Sequence, residues 1–273
     1  MKVHGFGLIL IFKKINMSNI YKNGIYLHNN PSLHQEDSEY KSFYICNLLE
    51  KINFKSKNIK ILDVGGGAGL ISKSVCSYLE RKGFDLECHA FDLSEEMLLI
   101  QKKNNPYITF TSSNSTDFYC KNYYDVTLLI DVIEHIEEKD TFANFIDNIT
   151  NYVVYNIPVE HNLADWLRNL FMLGKYYKKM TLAVGHIHFF SLFSAKKFVE
   201  SHHRIQNWTF PNYYGHLLNS NHPNYVSQRK RIIRSVEFHI SNLIYKYLKK
   251  LSPLLIHTSI FILASSRSFK NSK

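Results

Sequence analysis

The chain has 273 residues, 45% of them hydrophobic and 14% aromatic, enough to bury one substantial core, and its length suits one α/β domain with added elements rather than two independent domains. Its 33 Lys and Arg against 23 Asp and Glu leave a formal net charge of +10, which keeps polyanions and anionic membrane surfaces among the partners to consider, beside the plainer reading of scattered, solvated lysines. Four cysteines, Cys46, Cys76, Cys88 and Cys120, lie far apart and form no C-x-x-C pair, and a chain of this length can build a core without staples, so reduced, buried thiols in a cytoplasmic protein are expected.

In chain order, the apolar run at residues 5–12 is too short to span a bilayer and is followed by no small-residue cleavage site; a start at Met17 would leave it without a structural role. Residues 39–51 repeat apolar side chains at helical spacing (Phe43, Ile45, Cys46, Leu48, Leu49), a helix expected to cap a pocket. Residues 60–64 read as a buried strand that runs into Gly65-Gly66-Gly67-Ala68-Gly69, and Leu70, Ile71, Val75 and Leu79 continue as a helix closed near Gly83. Residues 86–91 form a second strand ending at Asp92, with Ser94 as N-cap and Glu95 and Glu96 in the first turn of the next helix. Further strands are expected at 107–110, 125–130, 152–157, 205–210 and 258–264, and strands alternating with helices imply a parallel sheet covered on both faces.

After Pro158 a helix is expected at about 164–173, then a loop rich in Tyr and Lys, then Gly185-His186-Ile187-His188-Phe189-Phe190-Ser191, together an insertion over the edge of the site. Trp166, Phe171, Tyr176 and Tyr177 read first as core aromatics and second as the lining of an acceptor pocket. A helix at 194–201 and a long one at 227–251 complete the pattern. The latter carries Ile232, Val236, Ile240, Leu243, Tyr247 and Leu251 along one face and seven Lys and Arg elsewhere. That pattern suits docking on the sheet, the favoured reading, or lying on an anionic membrane.

The chemistry starts at the glycine loop, where side chains would block the approach of a nucleotide-like ligand. A dinucleotide fingerprint needs glycine where Leu70 stands, whereas D-x-G-x-G-x-G fits Asp63 to Gly69 throughout. With Phe91-Asp92-Leu93-Ser94 and Asp131-Val132-Ile133-Glu134-His135-Ile136 following in order, residues of about 60–158 resemble the class I S-adenosylmethionine-dependent methyltransferases, with a weaker trace to Ser191. The resemblance implies an α/β, Rossmann-like, seven-stranded and mostly parallel sheet with helices on both faces and an antiparallel C-terminal edge strand. It divides the chain into an N-terminal extension, 1–38, and one methyltransferase domain, 39–273, with insertions at about 159–190 and 215–252.

The same resemblance implies S-adenosylmethionine as cofactor, bound by Asp63, Gly65, Gly67, Gly69, Asp92, Leu93, Asn114, Ser115 and Asp131. Asp92 matches the ribose-binding acid, which can accept from both hydroxyls. Asn114 stands where the family usually has Asp, and Asp117 is the alternative if the alignment slips. Glu134 and His135 are the expected catalytic pair, because an imidazole of ordinary pKa, on the order of 6.5, suits a base that deprotonates an acceptor. Asp131, Glu134, His135 and His186 also form a possible divalent-metal set, similar to the acid-x-x-Glu-His segment of quinone-pathway O-methyltransferases and small-RNA 2′-O-methyltransferases, although the expectation is no metal. Of His186 and His188, at most one should face the pocket.

The function expected is O-methylation of a small-molecule, lipid-linked or saccharide acceptor. RNA methylation is the second reading, without any RNP-like aromatic motif to support it. A non-catalytic cofactor-binding protein is the third, suggested by Asn114 and Asp131. A nicotinamide oxidoreductase comes last.

Overall fold

The strands at 124–130, 150–159 and 258–266 are nearly continuously buried, as strands are only when both faces of the sheet are covered. The computed structural model describes residues 35–114, 116–119 and 123–268; expectations for residues 1–34, Ser115 and Cys120 lie outside them. Within the described residues β1 (Asn58–Val64), β2 (Asp85–Phe91), β3 (Ile108–Ser112), β4 (Tyr124–Ile130), β5 (Thr150–Val159), β6 (His203–Thr209) and β7 (Thr258–Ser266) form one seven-stranded sheet in the order β3-β2-β1-β4-β5-β7-β6. The first five run parallel, and β7 is antiparallel to both its neighbours. This is the Rossmann-like fold that the motif order implied.

Alternation along β1 divides the core. Leu62 and Val64 face α5 (Lys139–Ile149) and α8 (Leu192–His202), where Phe142, Ile146, Phe198 and Val199 are buried. Ile59 and Ile61 face α1 (Ser38–Leu49) and α2 (Leu70–Arg81), through Ile45, Leu49, Val75 and Leu79. Each such aliphatic side chain contributes about 1.5–3 kcal/mol by leaving water. Cys46, Cys76 and Cys88 are buried free thiols within this second layer. The cap of α3 (Glu95–Asn104) is as expected: the Met97 amide donates to Ser94 Oγ at 3.3 Å. A short α4 (Thr116–Tyr119) follows β3.

Two expectations for the later half are corrected. The Tyr- and Lys-rich stretch after α6 (Leu163–Phe171) is a helix, α7 (Tyr176–Val184), closed by Gly185 at φ 84°. The single helix expected at 227–251 is divided. After α9 (Tyr213–Asn219), α10 (Pro223–Arg229) ends where the Arg229 guanidinium donates to the Leu217 and Ser220 carbonyls, the chain extends at Arg231, and α11 (Ile232–Tyr247) and α12 (Ser252–Leu255) follow.

The apolar stripe of α11 does not dock on the sheet. Its opposite side does the packing, with Phe238 buried against Tyr214, Leu217 and Tyr225, and this leaves Ile232, Val236, Ile240, Leu243 and Tyr247, and Leu251 beyond the helix end, each 49% exposed or more. Trp166 and Phe171 are likewise on the surface, so they are not core aromatics. Tyr176 and Tyr177 are half-buried and hydrogen-bonded, to Asp165 and to the Glu160 carbonyl. Among the described residues no helix is long and apolar enough to cross a membrane.

The strand order reverses between β1 and β4, and in open parallel sheets the crevice beyond the carboxyl ends of such strands is where ligands bind. A cavity of about 340 Å³ opens there, lined by the loops after β1, β2 and β4 and roofed by α1 and α7.

Candidate active site

The loop after β1 is shaped by what its glycines leave room for. A Cβ on Gly66 would lie 2.1 Å from Asp63 Oδ2, so the chain can fold over that carboxylate only with hydrogen at this position. At Gly67, φ is +56° and a Cβ would meet nothing within 4 Å on a residue that lines the cavity; the space beside it suits a ligand drawn close to the backbone. Gly65 and Gly69 share the left-handed conformation, and Gly69 packs on the Gln101 backbone rather than lining the cavity. Gly66, singled out by no spacing argument, is the most sterically confined of the four.

Asp63 is buried beneath this loop and its Oδ2 has no hydrogen-bond partner. Burial pushes its carboxyl up to about 6, against a hydrogen bond from Ser72. Asp92, at the end of β2, also lines the cavity. Its Oδ1 accepts from the Ser94 amide at 3.0 Å and its Oδ2 from Gln101 Nε2 at 3.3 Å, so the carboxylate is oriented before any ligand arrives. Burial pushes it up to about 6 as well, with the Ser94 bond opposing and Asp63 adding to the rise. Leu93 lines the cavity beside it. Asn114 is exposed, its amide donates to Ser112 Oγ at 3.0 Å, and it is not a lining residue. Asp117 is exposed too and takes a hydrogen bond from Ser112.

Asp131 follows β4 in the left-handed region, φ 56°, a conformation that costs a non-glycine residue about 1–3 kcal/mol and is kept only where the surroundings impose it. Those surroundings are visible. Lys41 Nζ of α1 donates to Asp131 Oδ2 at 2.6 Å, Asn156 Nδ2 donates to Oδ1 at 2.6 Å, and the Asp131 amide donates to the Asn156 carbonyl at 3.0 Å. Burial alone would lower the Lys41 ammonium; Asp131 and Asp37 outweigh it and hold it above the usual lysine range. Asp131 is therefore engaged in an ion pair that ties the roof to the sheet, and it stands apart from the group that Glu134, His135 and His186 form.

That group begins in the 3₁₀ turn Ile133–His135. The Ile187 and His188 amides donate to the Glu134 carbonyl, at 2.9 and 3.1 Å, and clamp the turn to the segment before α8. The Glu134 side chain is fully buried, and neither carboxylate oxygen has a hydrogen-bond partner. Burial drives this carboxyl well above the normal glutamate range, Asp131 and Glu160 add to the rise, and Lys41 opposes it. His135 Nδ1 lies 3.1 Å from the Gly185 carbonyl. A carbonyl can only accept, so Nδ1 carries the hydrogen and the lone pair of the neutral ring is on Nε2, 3.9 Å from Glu134 Oε1.

His186 packs edge-on against His135, with ring centroids 4.8 Å apart, and its Nδ1 is 2.8 Å from Glu160 Oε2. Glu134, His135 and His186 each offer one ligand atom within 4.8 Å of the others. His188 turns away to the Ile136 carbonyl at 2.9 Å, so one of the two histidines faces the cavity, as expected.

Lys41, Asn156 and Glu160 are site residues that sequence reasoning missed. A helix over residue 41 was expected to cap the pocket, but no spacing links it to position 131. Glu160 follows Pro158 and is nearly fully buried, a location that only strand pairing reveals. A further hub holds the roof: Asp165, at 0% exposure, accepts from Arg168, Tyr176 and His257. Burial works against its ionisation, and His257 and then Arg168 hold it down at about 2.

A family model described as a methyltransferase domain matches residues 34–230. No curated protein sequence matches the chain. Among solved structures, phosphoethanolamine N-methyltransferase 2 of Haemonchus contortus, in complex with phosphomonomethylethanolamine and S-adenosylhomocysteine, is similar with a TM-score of 0.54 at 15% identity, over 83% of this chain and 52% of that one. This chain thus spans about half the length of that protein. The cyclopropane synthase MmaA2 of Mycobacterium tuberculosis gives a TM-score of 0.56 at 13% identity, over 85% of this chain and 87% of that one. The chain belongs to this family of methyltransferase domains, the class I S-adenosylmethionine-dependent methyltransferases, and S-adenosylmethionine is its cofactor.

Proposed function

We propose that the chain methylates a hydroxyl oxygen of a small-molecule, lipid-linked or saccharide acceptor, with His135 as the base. The observation that carries this reading is the Gly185 carbonyl on His135 Nδ1, which leaves the Nε2 lone pair on the side of Glu134. When bound, S-adenosylmethionine supplies a methyl group on a sulfonium, whose departure needs no proton. Asp92 accepts from the ribose hydroxyls, and the space beside Gly67 admits the cofactor close to the loop. The acceptor hydroxyl gives its proton to His135 Nε2 as its oxygen takes the methyl group, and an oxygen of the Glu134 carboxyl, 3.9 Å away, is the acceptor that the resulting N–H faces. Lys41 and Asp131 close one side against water, which would otherwise compete for position.

A second reading has an observation of its own. A fully buried carboxylate without a partner, beside two imidazoles, is a donor set that fits a divalent ion, and the Glu160 carboxylate on His186 is the supporting contact that metal-binding histidines usually have. Glu134, His135 and His186 would hold such an ion, which would act as a Lewis acid on the hydroxyl.

The test is methyl transfer from isotopically labelled S-adenosylmethionine to a panel of phenols, lipid alcohols and saccharides, with the product bond located by mass spectrometry. Transfer to oxygen is expected; label on nitrogen or carbon would overturn the proposal. If activity survives exhaustive chelation, His135 acts alone as the base; if it is lost and returns with added Mg²⁺, Mn²⁺ or Zn²⁺, the metal reading replaces it.

A further inference from the structure

The apolar residues of α6, Leu163, Trp166, Leu167, Leu170 and Phe171, recur at i, i+3, i+4, i+7 and i+8 and so share one side of the helix. A side of this kind normally faces a core, yet each of these residues is 37% exposed or more. On α11, Ile232, Ile233, Val236 and Ile240 repeat the arrangement at 52% exposure or more. Arg168 joins the two helices by donating to Asp165 within α6 and to Glu237 of α11, which makes them neighbours on the surface and holds their polar sides inward.

Charge singles out the same surface. Residues 163–184 and 229–251 carry eleven Lys and Arg against two acids, Asp165 and Glu237, both engaged by Arg168. The rest of the chain, with 22 Lys and Arg against 21 acids, is nearly balanced. Almost the whole positive excess therefore lies on the segments that carry the exposed apolar side chains, with Arg168 and Arg229 themselves bonded inside the fold.

We propose that the α6–α7–α11 face seats on an anionic lipid bilayer. Apolar side chains enter the acyl boundary while Lys and Arg meet the headgroups, the combination by which interfacial helices bind. A second copy of the chain fits poorly, because two rims of the same sign would oppose each other. A nucleic acid would pair with the bases but leave the aliphatic side chains without a partner. The position is also functional. Helix α7 lines the cavity with Met180 and Val184 and turns Leu182 outward at 65% exposure, so a bilayer on this face lies about one helix diameter, roughly 10 Å, from the cavity.

The experiment is flotation of the full chain with vesicles of phosphatidylcholine alone and of phosphatidylcholine with one-third phosphatidylglycerol. Binding to the anionic vesicles is expected to exceed that to neutral ones by about tenfold or more and to weaken with salt. The double variant Phe171→Ser, Ile233→Ser should lose about tenfold of that binding while calorimetry finds its S-adenosylmethionine affinity unchanged, which shows that it is folded. Equal binding to both vesicles, or to neither, overturns the proposal. So does a dimer in light scattering that the double variant abolishes, or salt-sensitive RNA binding with no vesicle binding.

Discussion

Asp92→Ala is expected to weaken S-adenosylmethionine binding by about two to four orders of magnitude in calorimetry, because each hydrogen bond from a ribose hydroxyl to an ionised carboxylate contributes about 1.5–3 kcal/mol and two are lost together. The carboxylate is already aimed by the Ser94 amide and Gln101, so little of this energy goes into ordering it. The pH dependence follows from the raised pKa. Burial lifts the carboxyl from 3.8 to about 6, so the ionised form that accepts both hydroxyls is complete above pH 7, and affinity falls as pH drops through 6. Folding has the opposite sense: the buried acid is accommodated best while protonated, so the ligand-free protein loses stability as pH rises from about 4 to 6. The variant should flatten the binding profile, leaving the share that belongs to Asp63, itself pushed up to about 6. Undiminished affinity in Asp92→Ala would show that the cofactor lies elsewhere.

His135→Ala is expected to lower single-turnover methyl transfer by about two to four orders of magnitude, the usual contribution of a positioned base, while cofactor affinity stays within about twofold of the parent. The separation arises from the two ends of the cavity. Asp63, Gly67 and Asp92 come from the β1 and β2 loops, whereas His135 stands after β4 against Gly185 and His186. His135→Gln retains a hydrogen-bonding side chain of similar reach but offers no comparable base, so it should be almost as slow as the alanine variant. Recovery of most of the rate with Gln would mean that the ring only positions the acceptor.

That the glycine loop, Asp92, Glu134 and His135 come to one cavity is legible in the sequence because their placement is local: a strand end, a tight turn and a helix start must follow each other within a few residues, and the residue types are set by backbone space. The Lys41–Asp131 ion pair joins positions 90 residues apart and leaves no periodic trace. His186 was named, but its partner Glu160 was not, since that contact depends on the Glu160 and His161 amides donating to the Phe190 carbonyl. Helix α7 read as a loop because its Tyr and Lys residues give a weak apolar period. The stripe of α11 is visible in the sequence as a stripe, but its surroundings are not. A side chain that faces a core and one that faces lipid follow the same spacing; only Phe238, on the other side of the helix, decides which way it turns.

The basic rim beside those exposed apolar residues also bears on how the protein behaves by itself in water. Repulsion between like-charged faces keeps the apolar patches of two molecules apart, and its range is the Debye length, about 10 Å at 0.1 M salt and about 3 Å at 1 M. Salt, which usually loosens associations between charged proteins, would here remove the barrier and let the chains stick, so solubility would be highest in dilute buffer and decline as ionic strength rises.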